Sequence, residues 1–229
     1  MPGYYIHYAA CQPEARENLT FLRGVEAPDI LKKHFRMYGE DGARQKYNSM
    51  KTPEMPEYDA LVSRIKQKEK LGSLEGLHYG ASSQPGVWEF WKSLPKEDRE
   101  NAFYKGYFWH LLTDLLVYSL LDIDEKFKAV IEQNNGTVDI DELRKTETQK
   151  LHDDWDRLNA RVRDAYPDVV LSPEVVELGV VKFIEGGKFV YVEQQKVFKA
   201  ITALRKFNPL TTEFRNVAGV VAPLLRKHS

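Results

Sequence analysis

The sequence predicts an all-α protein that folds as a single helical domain. The chain has 229 residues, of which 42% are hydrophobic and 12% aromatic, which is enough for one sizeable core. Two long segments, residues 98–121 and 139–163, carry apolar side chains at helical spacing. Glycine and proline punctuate the chain between such segments. Together these features predict several helices packed around the most apolar one, residues 98–121.

The first third of the chain predicts short helices joined by loops. Residues 13–23 favour a helix, and Gly24 followed by AlaProAsp at 27–29 indicates a turn. A short helix then covers residues 30–37. The polar, turn-rich residues 39–56 predict a loop before a charged helix over 57–70, and residues 72–86 predict a glycine-rich loop that contains His78.

The remainder predicts longer helices and one ambiguous segment. Pro85 opens a short amphipathic helix that Pro95 ends, and the apolar helix 98–121 follows. A turn at 134–136 precedes the charged helix 139–163. Around Gly186 and Gly187, β-branched and aromatic residues favour a small C-terminal β-hairpin, although a helix that ends at the glycines fits as well. Helices over 194–206 and 212–226 complete the chain.

Charge and cysteine content limit the classes of site. Lys and Arg number 33 against 34 Asp and Glu, so a net charge of −1 gives no general attraction to nucleic acid or acidic membranes. Cys11 is the single cysteine, which excludes an internal disulfide and a thiolate-rich zinc site. The N-terminal residues do not read as a secretory signal and no run is apolar enough to span a membrane, so we expect a cytoplasmic protein.

The strongest chemical signal is the pair His110 and Asp114 in FYKGYFWHLLTDLL. Residues four apart on a helix project from one face, so both side chains can reach one ion. The apolar neighbours place that face in the core, where a carboxylate without a metal or a partner costs several kcal/mol. The alternatives are a hydrogen-bonded His-Asp pair and an aspartate that caps a neighbouring helix.

A second pair with the same spacing, His152 and Asp156, lies on the helix 139–163. Trp155 and Leu151 suggest that this face also packs inward, and helical bundles build metal sites from facing helices. A solvated acidic face is the alternative interpretation of LHDDWD.

Other polar residues could complete a cluster around these pairs. His78 lies in its predicted loop and His7 near the N-terminus, while Asp29 after Pro28 is either a ligand or a helix N-cap. His34, among basic residues, and His228, in the terminal tail, are expected to face solvent.

The order of these motifs resembles that of the zinc-dependent phospholipase C family, whose superfamily includes single-strand-specific zinc nucleases. The resemblance rests on His7, GVEAPD, LHYG, FYKGYFWHLLTD and LHDDWDRLN, patches between His7 and about residue 159. It implies an all-helical domain over residues 1–229, one to three zinc ions or other divalent metals, and hydrolysis of a phosphate ester. The metal ligands that it implies are His7, Asp29, His78, His110, Asp114, His152 and Asp156.

The chain departs from that family in two ways. LLVYSLLDID after the HxxxD pair holds no His, and the sequence starts MetProGly rather than with a processed amine ligand. We therefore expect one well-formed site from Asp29, His78, His110 and Asp114, with a second ion shared through Asp114, His7 or His152. The resemblance also makes Asp29 a candidate catalytic residue that orients or deprotonates water, or else a ligand.

Two other functions remain open at this stage. His152 with Asp153 resembles the dyad of HD-type metal phosphohydrolases, and a non-catalytic helical metal-binding protein would explain the incomplete ligand set. For an enzyme, the expected partner is a small-molecule or lipid-head-group phosphoester, with nucleic acid less favoured because of the neutral charge.

Overall fold

The computed structural model describes residues 3–66, 77–78, 84–134 and 137–225. These residues are folded largely into helices, which confirms the all-α prediction. No helix in these ranges combines the length and apolar character needed to cross a bilayer. The twelve helices of the described residues are α1 (Tyr4–Ala9), α2 (Pro13–Arg16), α3 (Leu19–Met50), α4 (Tyr58–Lys66), α5 (Gln84–Ser93), α6 (Lys96–Glu100), α7 (Ala102–Leu121), α8 (Ile123–Gln133), α9 (Ile140–Ala165), α10 (Pro173–Glu177), α11 (Gln194–Leu204) and α12 (Phe214–Leu225).

Helix α7 is the centre of the fold. It contacts α1, α3, α5, α6, α11 and α12, and nearly all of its side chains are buried. A helix that is apolar all round is stable only when other elements cover every face. The side chain of Asn101 caps its first turn by accepting from the Phe103 N–H, and Asp122 ends it in a left-handed conformation. The prediction of a buried central helix is confirmed.

Helices α3 and α7 make the most extensive contact of the described helix pairs, and two glycines allow their backbones to approach closely. A Cβ atom on Gly24 would lie 2.0 Å from the carbonyl oxygen of Phe103, and a Cβ on Gly106 would lie 2.0 Å from that of Phe21. Both obstacles are backbone atoms, which cannot move aside without displacing a whole helix. The two backbones therefore touch at a distance that no other residue type permits.

The turn predicted at 24–29 is wrong, and the loop predicted at 39–56 is wrong for residues 39–50 but confirmed for residues 51–56. Helix α3 continues through Gly24 and Pro28, and its single interruption is Gly39, with φ 70° and ψ −163°. Packing against α7 outweighs the weak helix propensity of glycine and the hydrogen bond lost at proline. Asp29 consequently lies inside a long helix and is not an N-cap.

The predicted C-terminal β-hairpin is also wrong. Residues 180–193 run without helix or strand over the surface of α9. The buried carboxylate of Asp154 accepts from the backbone N–H groups of Val190, Tyr191 and Val192, at 2.6 to 3.0 Å. The Asn159 amide likewise donates to the Lys182 carbonyl. Side chains of α9 thus satisfy the backbone groups that a partner strand would otherwise satisfy.

We expect Gly106→Ala to lower the free energy of unfolding by about 1–3 kcal/mol, because the new methyl group overpacks the α3–α7 contact. Urea unfolding followed by circular dichroism measures the change. Gly219→Ala is the matched control: a Cβ there meets nothing within 4 Å, so the same substitution should stabilise α12 by up to about 1 kcal/mol. Equal effects at the two glycines would contradict the steric account.

Candidate metal centre

Five of the predicted ligands converge in the core. His7 comes from α1, Asp29 from α3, His110 and Asp114 from α7, and His78 from the short described segment 77–78. The hydroxyl of Tyr107 donates to the Leu77 carbonyl at 2.6 Å, which ties that segment to α7. The rest of the predicted ligand loop 72–86 lies outside the described residues, except for residues 84–86 at the start of α5.

Asp114 is the hub of the cluster. Its Oδ1 lies 3.4 Å from His7 Nε2, and its Oδ2 lies 3.5 Å from His110 Nε2 and 3.9 Å from His78 Nε2. The ligand atoms of His7, His110 and Asp114 all lie within 4.8 Å of one another, as do those of Asp29, His78 and His110. Asp114 is 1% exposed, so water does not replace these contacts.

These spacings are longer than good hydrogen bonds. His7 Nε2, His110 Nε2 and both carboxylate oxygens of Asp114 are buried without a hydrogen-bond partner in the described part of the chain. Four ligands arranged tetrahedrally about 2.0–2.1 Å from a zinc ion lie about 3.3–3.4 Å from one another. The His7 and His110 nitrogens therefore lie from Asp114 at about the spacing of ligands around a common ion, and neither makes the hydrogen bond to Asp114 that a purely structural cluster would contain.

The backbone of α3 selects the tautomer of His110. Its Nδ1 lies 2.7 Å from the carbonyl oxygen of Val25, which can only accept, so Nδ1 carries the proton and donates. The lone pair of a neutral His110 is then on Nε2, the atom that faces Asp114. A ring nitrogen anchored on a carbonyl while the other binds the ion is the usual arrangement of a metal-ligating histidine.

His7 is fully buried against His110. Its ring stacks on His110 with centroids 3.9 Å apart and planes 9° from parallel. Burial, followed by the positive potential of His110, lowers the pKa of His7 to about 3. The imidazole is thus unprotonated at neutral pH, as a metal ligand must be.

The charged groups of the cluster compensate one another. Burial is the largest single influence on the pKa of His110 and would lower it, but the nearby carboxylate of Asp114, together with Asp29 and the Val25 carbonyl, raises that pKa. Burial is also the largest single influence on the pKa values of Asp29 and Asp114 and would raise them, but His7, His78 and His110 together lower both. Both carboxylates are therefore anionic at neutral pH.

Asp29 lies at the edge of the cluster. Its Oδ1 is 3.0 Å from His78 Nε2, within hydrogen-bond distance, and its side chain is 11% exposed. It lines a cavity of about 550 Å³ that opens between α3, α9 and residues 180–182. Asp29 therefore connects the buried ligands with a space that a small molecule could enter.

His152 and Asp156 do not join the five converging residues. Both line the same cavity as Asp29, but His152 is exposed and Asp156 half-buried, and neither belongs to a ligand group among the described side chains. Trp155, between them in sequence, packs into the core, because one face of α9 lies against the fold. The two side chains do share one face of α9, as their spacing predicts, but that face lines the cavity and is not packed against the core.

Three features of the site were not predicted from the sequence. The Val25 carbonyl, a backbone atom, leaves no sequence signal. Buried Glu26, which accepts from the Tyr8 hydroxyl and from Arg23, ties α1 to α3 next to His7. The basic residues around His34 line the cavity, and their helical spacing from Asp29 would have shown this if α3 had been predicted as continuous.

Comparisons with protein-family models, with curated proteins and with solved structures found no match to this chain.

We expect Tyr8→Phe to reduce the free energy of unfolding by about 1–3 kcal/mol, because Glu26 and the backbone N–H of Ser172 both lose a buried partner. Chemical denaturation monitored by tryptophan fluorescence gives the value. Tyr38→Phe removes the same hydroxyl from an exposed position on α3 and should change stability by less than about 0.5 kcal/mol. A Tyr8 variant as stable as the Tyr38 variant would refute this role.

Proposed function

We propose that this chain is a metal-dependent hydrolase that cleaves a phosphate ester at a zinc ion held by His7, His110 and Asp114, with His78 and Asp29 beside it. The observation that carries the proposal is that two buried, unsatisfied nitrogens, His7 Nε2 and His110 Nε2, lie 3.4 and 3.5 Å from the unsatisfied carboxylate oxygens of Asp114, with His78 Nε2 at 3.9 Å. Imidazole and carboxylate ligands suit zinc, while other divalent ions remain compatible.

The tautomer of His110 argues for one ion at the centre. Both ligand groups include His110, and because its Nδ1 donates to Val25, an ion in either group would have to bind the same atom, Nε2. The two groups therefore describe alternative ligand sets of one site. A second ion would need the other oxygen of Asp114 together with another histidine, such as His152 from the cavity wall.

A zinc ion at this position would polarise a phosphoryl oxygen and lower the pKa of a water molecule to about 7. The protein supplies the surroundings for that chemistry. His78 Nε2 cannot donate to Asp29 and bind the ion at the same time. When His78 binds the ion, the Asp29 carboxylate therefore loses its present donor. An anionic carboxylate at the cavity wall is then positioned to orient a water molecule and accept its proton.

A non-catalytic metal-binding protein is the second candidate. It is favoured by the enclosure of His7 and His110, neither of which contacts solvent. The absence of a histidine in residues 117–126 points in the same direction. The HD-type alternative has less support, because His152 is exposed and Asp153 accepts from Gln149 on the outer face of α9.

Protein purified without chelator should contain about one zinc ion per chain by plasma mass spectrometry. His110→Ala should reduce that content to near zero, because it removes the histidine that both ligand groups share. His34→Ala is the control, since His34 lies on α3 outside the cluster and should leave the content unchanged. Wild-type protein without any divalent metal would overturn the proposal.

The zinc-loaded protein should hydrolyse at least one member of a panel of phosphodiesters and phosphomonoesters. Asp29→Asn should lower kcat by about 100-fold or more, because an amide accepts no proton from water at neutral pH. Zinc content is measured on the same sample, so that a loss of the ion is distinguished from a loss of the base. Zinc-loaded wild type that turns over no ester would support the non-catalytic candidate instead.

A further inference from the structure

The cavity beside Asp29 has an unusual distribution of charge. Its volume of about 550 Å³ is in the range of small-molecule sites, and its walls come from α1, α3, α9 and residues 180–182. Among the described residues, four basic side chains line it together with the carboxylates of Asp29 and Asp156. The chain as a whole has a net charge of −1, so this concentration of basic side chains is local.

Three of the basic residues follow Asp29 along a single face of α3. Lys32, Lys33 and Arg36 are three, four and seven residues after it, which places them on one side of the helix. Exposure increases in the same direction: Asp29 is nearly buried, the two lysines are half-buried and Arg36 is exposed. With a helical rise of 1.5 Å per residue, the row extends about 5–10 Å from the Asp29 position.

Lys182 adds positive charge from the other wall. Its side chain is exposed, and its charge acts on Asp156, whose pKa is nevertheless raised because burial is the larger effect. Lys33 donates to the Leu178 carbonyl at 2.7 Å, which fixes its ammonium group at the cavity and leaves two further N–H donors. The two walls therefore present ammonium and guanidinium groups toward one space.

From this arrangement we infer that the site takes a small substrate with two separate anionic groups. This inference rests on the proposed function: one group is the phosphate that is hydrolysed beside Asp29, and the second lies about 5–10 Å away, between Lys32, Arg36 and Lys182. Positive side chains in a confined space attract such a ligand more than one with a single anionic end. A zwitterionic head group would place its cation against this row.

Isothermal titration of the zinc-loaded protein with two non-hydrolysable probes tests the inference. Hexane-1,6-bisphosphonate carries phosphonates at both ends, and hexylphosphonate carries one on the same chain. We expect the bisphosphonate to bind at least 10-fold more tightly. The double variant Arg36→Ala, Lys182→Ala should lose most of that advantage while its affinity for hexylphosphonate stays within about twofold. Lys199→Ala removes an exposed lysine outside the cavity and should retain the full advantage.

Equal affinity of the two probes for wild type would overturn the inference, as would an undiminished advantage in the double variant. Zinc content and ester hydrolysis, measured on the same preparations, separate this failure from that of the proposed function. A zinc-loaded protein that hydrolyses esters without preferring the bisphosphonate would refute only the second anionic group. A zinc-free protein that keeps the preference would support the anion site and refute the metal-dependent hydrolase.

Discussion

The close crossing of α3 and α7 determines most of what the centre of this protein can do. Gly24 and Gly106 let the two backbones touch, and this contact brings the Val25 carbonyl within 2.7 Å of His110. That hydrogen bond turns the free nitrogen of His110 toward Asp114. One helical turn beyond Val25, α3 presents Asp29 at the edge of the same cluster. The close contact between α3 and α7 that these two glycines allow is thus the origin of the geometry of the ligands.

Two buried carboxylates of the same chain show why the cluster suggests an ion. Asp154 is buried too, but it accepts from three backbone N–H groups and pairs with Arg157. Asp114 lies among apolar side chains, and its contacts in the described chain are histidine nitrogens at 3.4 to 3.9 Å. Burial of a charge without close partners is costly. The first carboxylate has a complete structural role, whereas the second has the surroundings of a ligand.

Local spacing was enough to find the residues on one helix but not to assemble the site. His110 and Asp114 were predictable because four residues make about one helical turn and the flanking residues are apolar. The path of α3 was not, because Gly24 and Pro28 usually interrupt a helix and here are compensated by packing against α7. The hairpin prediction failed for a similar reason: Asp154, distant in sequence, takes the place of a strand partner. His152 has the same spacing as His110, yet which face of α9 meets the core depends on long-range contacts.

The candidate ligands come from four separate stretches of the chain, at residue 7, residue 29, residue 78 and the pair 110 and 114. An ion bound to them would close three successive loops of the polypeptide at a single point. The unfolded chain would lose these closures with the ion, so the free energy of ion binding would add to the stability of the folded state. The single cysteine allows no internal disulfide. Coordination to a metal would instead link the N-terminal segment to the central helix. Release of the ion would then let α1, α3 and α7 separate more easily, so that they would unfold less cooperatively.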